Sequence, residues 1–169
     1  SESFAVFTSK GDGVTVSHSG RQHTRRLAPG EDPLTALKAL LSEYQFVPVE
    51  GLPRFCGGAV GFIGYDVVRF FERLPNGTVD DLGLPDCVLV LTDTCLIFDH
   101  AYHRGKVLSN ALVNGDPDRA YDEALRKIEA LSARLAAPAP AVLPPRPRPK
   151  DTRLTTNLTR EDYQHAVLK

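Results

Sequence analysis

The sequence predicts an α+β fold, a mainly antiparallel sheet with packed helices, and three observations carry that expectation. Runs of alternating apolar and polar residues are joined by turn-forming dipeptides, which is the signature of hairpins. Two stretches carry apolar residues at helical spacing, each opened by an Asp-Pro pair. Neighbouring strand candidates are linked by short turns rather than crossover helices, as antiparallel strands allow and parallel strands do not.

The first strands are "FAVFTSK" and "GVTVSHS", which alternate apolar and polar positions on either side of Gly11, Asp12 and Gly13. "RQHTRRL" adds a third strand. Asp32 supplies a cap and Pro33 a first-turn proline for a helix reaching residue 45 or so, with Leu34, Leu37, Leu40, Leu41 and Tyr44 on one side. That helix is expected to cover one face of the sheet.

Residues 54 to 72, "RFCGGAVGFIGYDVVRFFE", pack Gly57, Gly58, Gly61 and Gly64 among large apolar residues and close on Tyr65, Asp66, Arg69 and Glu72. A dinucleotide fingerprint needs G-x-G-x-x-G and a P-loop needs a G-K-[ST] ending, and neither is present. The expectation is a buried strand whose glycines let a neighbouring backbone approach, with Asp66 capping a short helix that carries Val67, Val68, Phe70 and Phe71. Arg69 and Glu72 then face outward. Gly57, Gly58, Gly61, Gly64, Tyr65 and Asp66 form this strand-to-helix junction.

"CVLVLTDTCLIFDH", residues 87 to 100, begins with unbroken apolar character and is interrupted at Thr92, Asp93 and Thr94. It is expected as one central strand with room for a bulge. "HRGK" turns the chain into "VLSNALV" to give another hairpin. Asp116 and Asp118 flank Pro117 ahead of a long amphipathic helix whose apolar stripe is Tyr121, Leu125, Ile128, Leu131 and Leu135. "APAPAVLPPRPRPK" cannot form helix or inner strand, because proline removes donors and fixes φ, so it is a semi-extended linker. In "TREDYQHAVLK", Thr159 caps a last helix that stops in mid-stripe without a C-cap, so further chain is expected beyond Lys169. The domains expected are therefore 1–136, a linker at 137–150, and the truncated start of a second domain at 151–169.

Composition bounds the function classes. With 169 residues and a formal net charge of -1, the chain has no large basic footprint for nucleic acid or an anionic membrane. No apolar run approaches the roughly 20 residues needed to cross a bilayer, and the N-terminus lacks a signal-peptide layout, so a cytoplasmic location is expected. Cys56, Cys87 and Cys95 fit no metal-ligand spacing. Cys87 and Cys95 on one strand would lie roughly 26 Å apart, too far for a disulfide. All three are read as small buried hydrophobes. The sequons at Asn76 and Asn157 read as a turn and a helix lead-in.

"GGAVGFIGYDVVRFFERLP", then "DDLGLPD" at 80 to 86 and "LTDTCLIFDH" at 91 to 100, resembles the amino-terminal domain of anthranilate synthase component I. "NLTREDYQHAVLK" resembles the first helix of that family's chorismate-binding domain. The resemblance spans about residue 55 to the end, and the first 54 residues fit less distinctively.

The resemblance implies conversion of chorismate to anthranilate and pyruvate in tryptophan biosynthesis, with Mg2+ and ammonia delivered by a glutamine amidotransferase component II. The family's catalytic and metal-binding residues lie in the chorismate-binding domain, so it assigns no catalytic, metal or effector residue here. Asp80, Asp81, Asp93 and Asp99 are read as turn, cap or strand-end residues, and His100 and His103 as hairpin-edge residues. The Leu-Leu-Glu-Ser segment that marks the family's tryptophan feedback site does not occur, and no tryptophan-binding residue is carried over. The expectation is a regulatory and structural part of the enzyme, inactive by itself, that meets its own chorismate-binding domain and component II, with no nucleic acid or membrane partner. Two alternatives stand beside it: aminodeoxychorismate synthase component I of the folate branch, and a free-standing amidotransferase-binding module.

Overall fold

The computed structural model describes residues 4–75, 77–138 and 156–168. It divides into two units, Ser1–Ala137 and Pro138–Lys169. The first opens with three strands, β1 (Ala5–Lys10), β2 (Gly13–His18) and β3 (Arg21–Arg26), paired antiparallel in register from Ala5↔His18 to Lys10↔Gly13 and from Gly13↔Arg26 to His18↔Arg21. Between β2 and β3, Ser19 and Gly20 both have positive φ, 49° and 76°. That is the turn hand that matches the twist of a strand pair.

Helix α1 (Pro33–Ser42) starts where the Asp32 side chain accepts hydrogen bonds from the N–H groups of Leu34 and Thr35. Strands β4 (Gly58–Ile63) and β5 (Cys87–Thr92) then complete a five-stranded antiparallel sheet in the order β3-β2-β1-β5-β4. Ala5, Phe7 and Ser9 of β1 stand opposite Leu91, Leu89 and Cys87 of β5 and share their buried face. Leu37, Leu40 and Leu41 of α1 pack on that face around buried Ala36. Phe7 and Cys87 are 1% and 0% exposed, which places the core between β1, β5 and α1. The fold class is the α+β antiparallel one expected.

Three local expectations are corrected. Residues 87 to 100 are two strands, not one: β5 ends at Thr92, and β6 (Thr94–Asp99) pairs with β7 (Arg104–Ser109) in a separate two-stranded sheet. Asp93 is the joint, and only the first half is an inner strand of the large sheet, β5 lying between β1 and β4. The glycine-rich strand is not buried. β4 is an edge strand, with Val60, Phe62 and Ile63 49%, 51% and 52% exposed. Third, helix α2 (Pro117–Ala136), capped by Asp116, buries Ala120 and Ala124 rather than its large stripe. Tyr121, Leu125 and Leu135 are exposed because α2 meets the rest of the unit chiefly along β7.

Helix α1 ends at Ser42, three residues short, and Tyr44 packs edge-on to Phe4 instead of extending the helix. Cys56 and Cys87 are buried, Cys95 is half-buried, and all three are free thiols. In the second unit, helix α3 (Arg160–Val167) begins at Thr159, whose hydroxyl accepts from the Asp162 N–H. Asn157 lies in the bend before it, whereas Asn76 and linker residues 139–150 lie outside the described residues.

Candidate functional site

The strand-to-helix junction is built on close backbone contact. β4 pairs with β5 from Gly58↔Thr92 to Ile63↔Cys87, which sets Val60 opposite Val90 and Phe62 opposite Val88. A Cβ placed on Gly61 would run into the Val88 carbonyl oxygen and lie 2.9 Å from the Leu89 Cα. A Cβ on Gly64 would lie 2.8 Å from the Asp86 oxygen that accepts the Gly64 N–H. These two glycines let the edge strand sit closer to β5 than any side chain would permit. Gly58 is needed for a different reason, since its φ of 124° is one that other residues rarely adopt.

The chain leaves the strand through Gly64 into a 3-10 helix, Tyr65–Phe70, that buries Val67 in the core. The cap expected from Asp66 is absent, because Gly64 occupies that position without any side-chain bond. Asp66 lies inside the first turn and accepts from Arg69 Nε at 2.6 Å. Arg69 also donates to the Pro75 carbonyl, so it braces the end of the junction rather than standing free beside Glu72. Tyr65 projects outward, 79% exposed.

Asn110, which sequence reasoning did not single out, ties the junction to the rest of the unit. Its side-chain amide donates to the Cys56 carbonyl at 2.6 Å and to the Asp93 carbonyl at 3.2 Å. Gly57 lies against that amide, where a Cβ would intrude. The Asp93 carboxylate receives Lys127 of α2, so one joint residue links both sheets and the helix. Phe4, Asp93, Asn110, Arg119 and Lys127 line an open cleft of about 400 Å³. No sequence motif marks Asn110 or Lys127, because the contact joins positions far apart in the chain.

The "DDLGLPD" segment clamps the β1–β2 turn. Lys10 donates to Asp80 and to the Leu84 carbonyl, Gly11 N–H donates to the Asp86 carboxylate at 2.7 Å, and Asp86 N–H donates to the Ser9 carbonyl at 2.8 Å. The Lys10 hydrogen bond, followed by that of the Gly83 N–H, holds the Asp80 carboxyl below its ordinary range. Asp81 is exposed. Asp99 accepts from the Tyr102 N–H and from Arg104 in the β6–β7 turn, the N–H being the main cause of its lowered pKa. His100 and His103 line a shallow cleft of about 180 Å³ beside that turn. Among the described residues, no group of three or more His, Cys, Asp or Glu is placed to hold a metal ion.

No family model matches the chain. Curated relatives do. It is 36% identical over 143 residues to anthranilate synthase component 1 of Acetivibrio thermocellus, an alignment covering 82% of this chain and 29% of that protein. It is 39% identical to the probable anthranilate synthase component 1 of Schizosaccharomyces pombe, over 76% of this chain and 27% of the relative. It is 38% identical to anthranilate synthase component 1 of Mycolicibacterium smegmatis, over 83% and 27% respectively. The chain thus spans less than a third of the length of these relatives. The crystal structure of anthranilate synthase component I from Streptococcus pneumoniae superposes with a TM-score of 0.61 at 23% identity, over 83% of this chain and 29% of that one, and shows the shared fold. Over about four fifths of its own length, then, the chain is a member of the anthranilate synthase component 1 family.

Proposed function

We propose that the chain is the amino-terminal part of an anthranilate synthase component I, and that the complete protein makes anthranilate and pyruvate from chorismate with glutamine-derived ammonia in tryptophan biosynthesis. The observation carrying this reading is the alignment of 82% of the chain with 29% of a protein of that name. In this reading the present residues scaffold and regulate, and catalysis belongs to the chorismate-binding domain. That division fits the carboxylates described above. Asp80, Asp93 and Asp99 are each engaged by a cation or a backbone N–H in a turn or joint, which is a structural use of each carboxylate.

Among the described residues no group of three or more His, Cys, Asp or Glu is placed to hold a metal ion, and this supports assigning the magnesium to the complete enzyme. In this reading the ion, chorismate and tryptophan all belong with the complete enzyme. Component II of the amidotransferase type is the partner that would supply ammonia, and the cytoplasm is where the reaction would run. No helix among the described residues is long and apolar enough to cross a membrane.

The test is an assay of chorismate with magnesium and ammonium, followed by anthranilate fluorescence. The protein as its gene encodes it should produce anthranilate, and the 169-residue polypeptide should show no turnover above a blank. Turnover by the 169-residue chain would move the active site into it.

A further inference from the structure

The segment that joins β7 to α2 carries the dipeptide Asn114–Gly115 in a bend, directly ahead of the cap residue Asp116. Both residues are exposed. Among the described residues, neither the Asn114 side-chain amide nor the Gly115 N–H has a hydrogen-bond partner. Gly115 has a φ of 99°, and a Cβ built on it would meet nothing within 4 Å, so no neighbour crowds the residue.

An asparagine side-chain carbonyl lies one ring closure away from the amide nitrogen of the residue that follows it. Three things normally keep the two apart: a side chain on the following residue, a hydrogen bond on its N–H, and a hydrogen bond on the asparagine amide. Asn110 has the first and third protections, since Ala111 follows it and its amide donates to the Cys56 and Asp93 carbonyls. Asn157 is shielded by Leu158. Asn114 has none of the three, because glycine also leaves its own nitrogen uncovered.

We infer that Asn114 is a site of self-modification, at which the chain turns its own side-chain amide into an aspartyl or isoaspartyl carboxylate. The Gly115 nitrogen attacks Asn114 Cγ, and a C–N bond forms to close a succinimide ring. The side-chain nitrogen leaves as ammonia and takes up the proton that the Gly115 nitrogen gives up. Water then adds across one of the two C–N bonds of the ring. Cleavage at Cγ restores the normal main chain with Asp at 114, and cleavage at the main-chain carbonyl leaves isoaspartate, whose backbone is longer by one carbon atom. Nothing is oxidised or reduced. Either product adds an anion to the cleft that Asp116, Arg119 and Lys127 share. Isoaspartate also lengthens the lead into α2 just before Asp116, whose carboxylate accepts the Asp118 and Arg119 N–H groups. The class of enzyme that would read this product is a methyltransferase that esterifies isoaspartyl carboxylates.

The protein as its gene encodes it, incubated at mildly alkaline pH and mapped by peptide mass spectrometry with fragmentation, tests this. Asn114 should convert at least about tenfold faster than Asn110 or Asn157, because only its neighbour lacks a Cβ. The native rate should fall within about tenfold of the rate for the same protein in urea, since an exposed bend needs no unfolding to react. The product should accept methyl groups from an isoaspartyl methyltransferase. Asn76, which also precedes a glycine, falls in a different peptide and is scored separately. Gly115→Ala should slow the conversion at least about tenfold, and Asn114→Gln, which keeps the glycine and its positive φ, should remove the methyl-accepting product. An Asn114 that stays intact in the native protein while it converts in urea overturns the inference, because the fold then protects the site. Conversion to aspartate without any isoaspartate overturns it as well, since direct hydrolysis would then bypass the ring.

Discussion

Gly61 shows how little room the sheet has at its β4 edge. Its φ is not a left-handed one, so the demand for glycine is steric: a single methyl group meets the Val88 carbonyl and the Leu89 Cα on the adjacent strand. Gly61→Ala should therefore cost about 1–3 kcal/mol through overpacking. Gly105→Ala is the matched control. There the added carbon would have only the Ile97 carbonyl at 4.0 Å, and the change should stay within about 0.5 kcal/mol. Urea unfolding of the two variants makes the comparison, and equal midpoints would show that β4 can shift outward at no cost. A second residue-scale expectation concerns pH. Glu31 receives Arg25 through both oxygens, at 2.6 and 2.8 Å, and the Ala28 N–H at 2.8 Å. The Arg25 bond first, and the Ala28 bond after it, lower its pKa from 4.5 to about 2. A carboxyl whose pKa is lower folded than unfolded stabilises fully above about 4.5 and loses that effect as pH falls towards 2. Glu31→Gln should thus melt below the parent at pH 7, and the gap should close between pH 4.5 and 2. A gap that persists to pH 2 would mean that the charge of Glu31 is not what matters.

At the scale of elements, helix starts were legible and sheet membership was not. Asp32, Asp116 and Thr159 were read as the leads into three helices, and each accepts hydrogen bonds from N–H groups of its first turn. Capping is local chemistry, settled by residues two or three positions apart. Asp32→Ala should accordingly cost about 1 kcal/mol, and Asp32→Asn should keep most of it. Thermal unfolding of the pair checks this, and equal losses would assign the effect to charge rather than to the cap. The misplaced cap at Asp66 has a local cause too, since an Arg three residues on offered a better partner than the helix N-terminus. By contrast, nothing in "CVLVLTDTCLIFDH" reveals that its halves join different sheets. That depends on Asn110 and Lys127 gripping Asp93 from 17 and 34 residues away. The same holds for β4: its apolar sequence reads as buried, and only the strand order exposes it as an edge.

For the whole molecule, the described surface carries more large exposed apolar side chains than a free-standing domain needs, on β4, on the 3-10 helix and along α2. Because no Leu-Leu-Glu-Ser segment occurs in it, the 169-residue polypeptide should give no saturable heat of tryptophan binding in calorimetry. Binding by that chain would place an effector site within it. The strand order also has a consequence for the nascent chain. β1 and β2 zip together from residues 5 to 18, yet the other side of β1 belongs to β5, with Ala5 opposite Leu91. While the ribosome adds the intervening residues, Phe7 has Val16 beside it but not Leu89, and closing so long a loop comes late and slowly. The first hairpin to be synthesised must therefore wait, sticky on one side, for a strand translated long after it, and that interval is when the growing polypeptide is most exposed to mispairing and most in need of a chaperone.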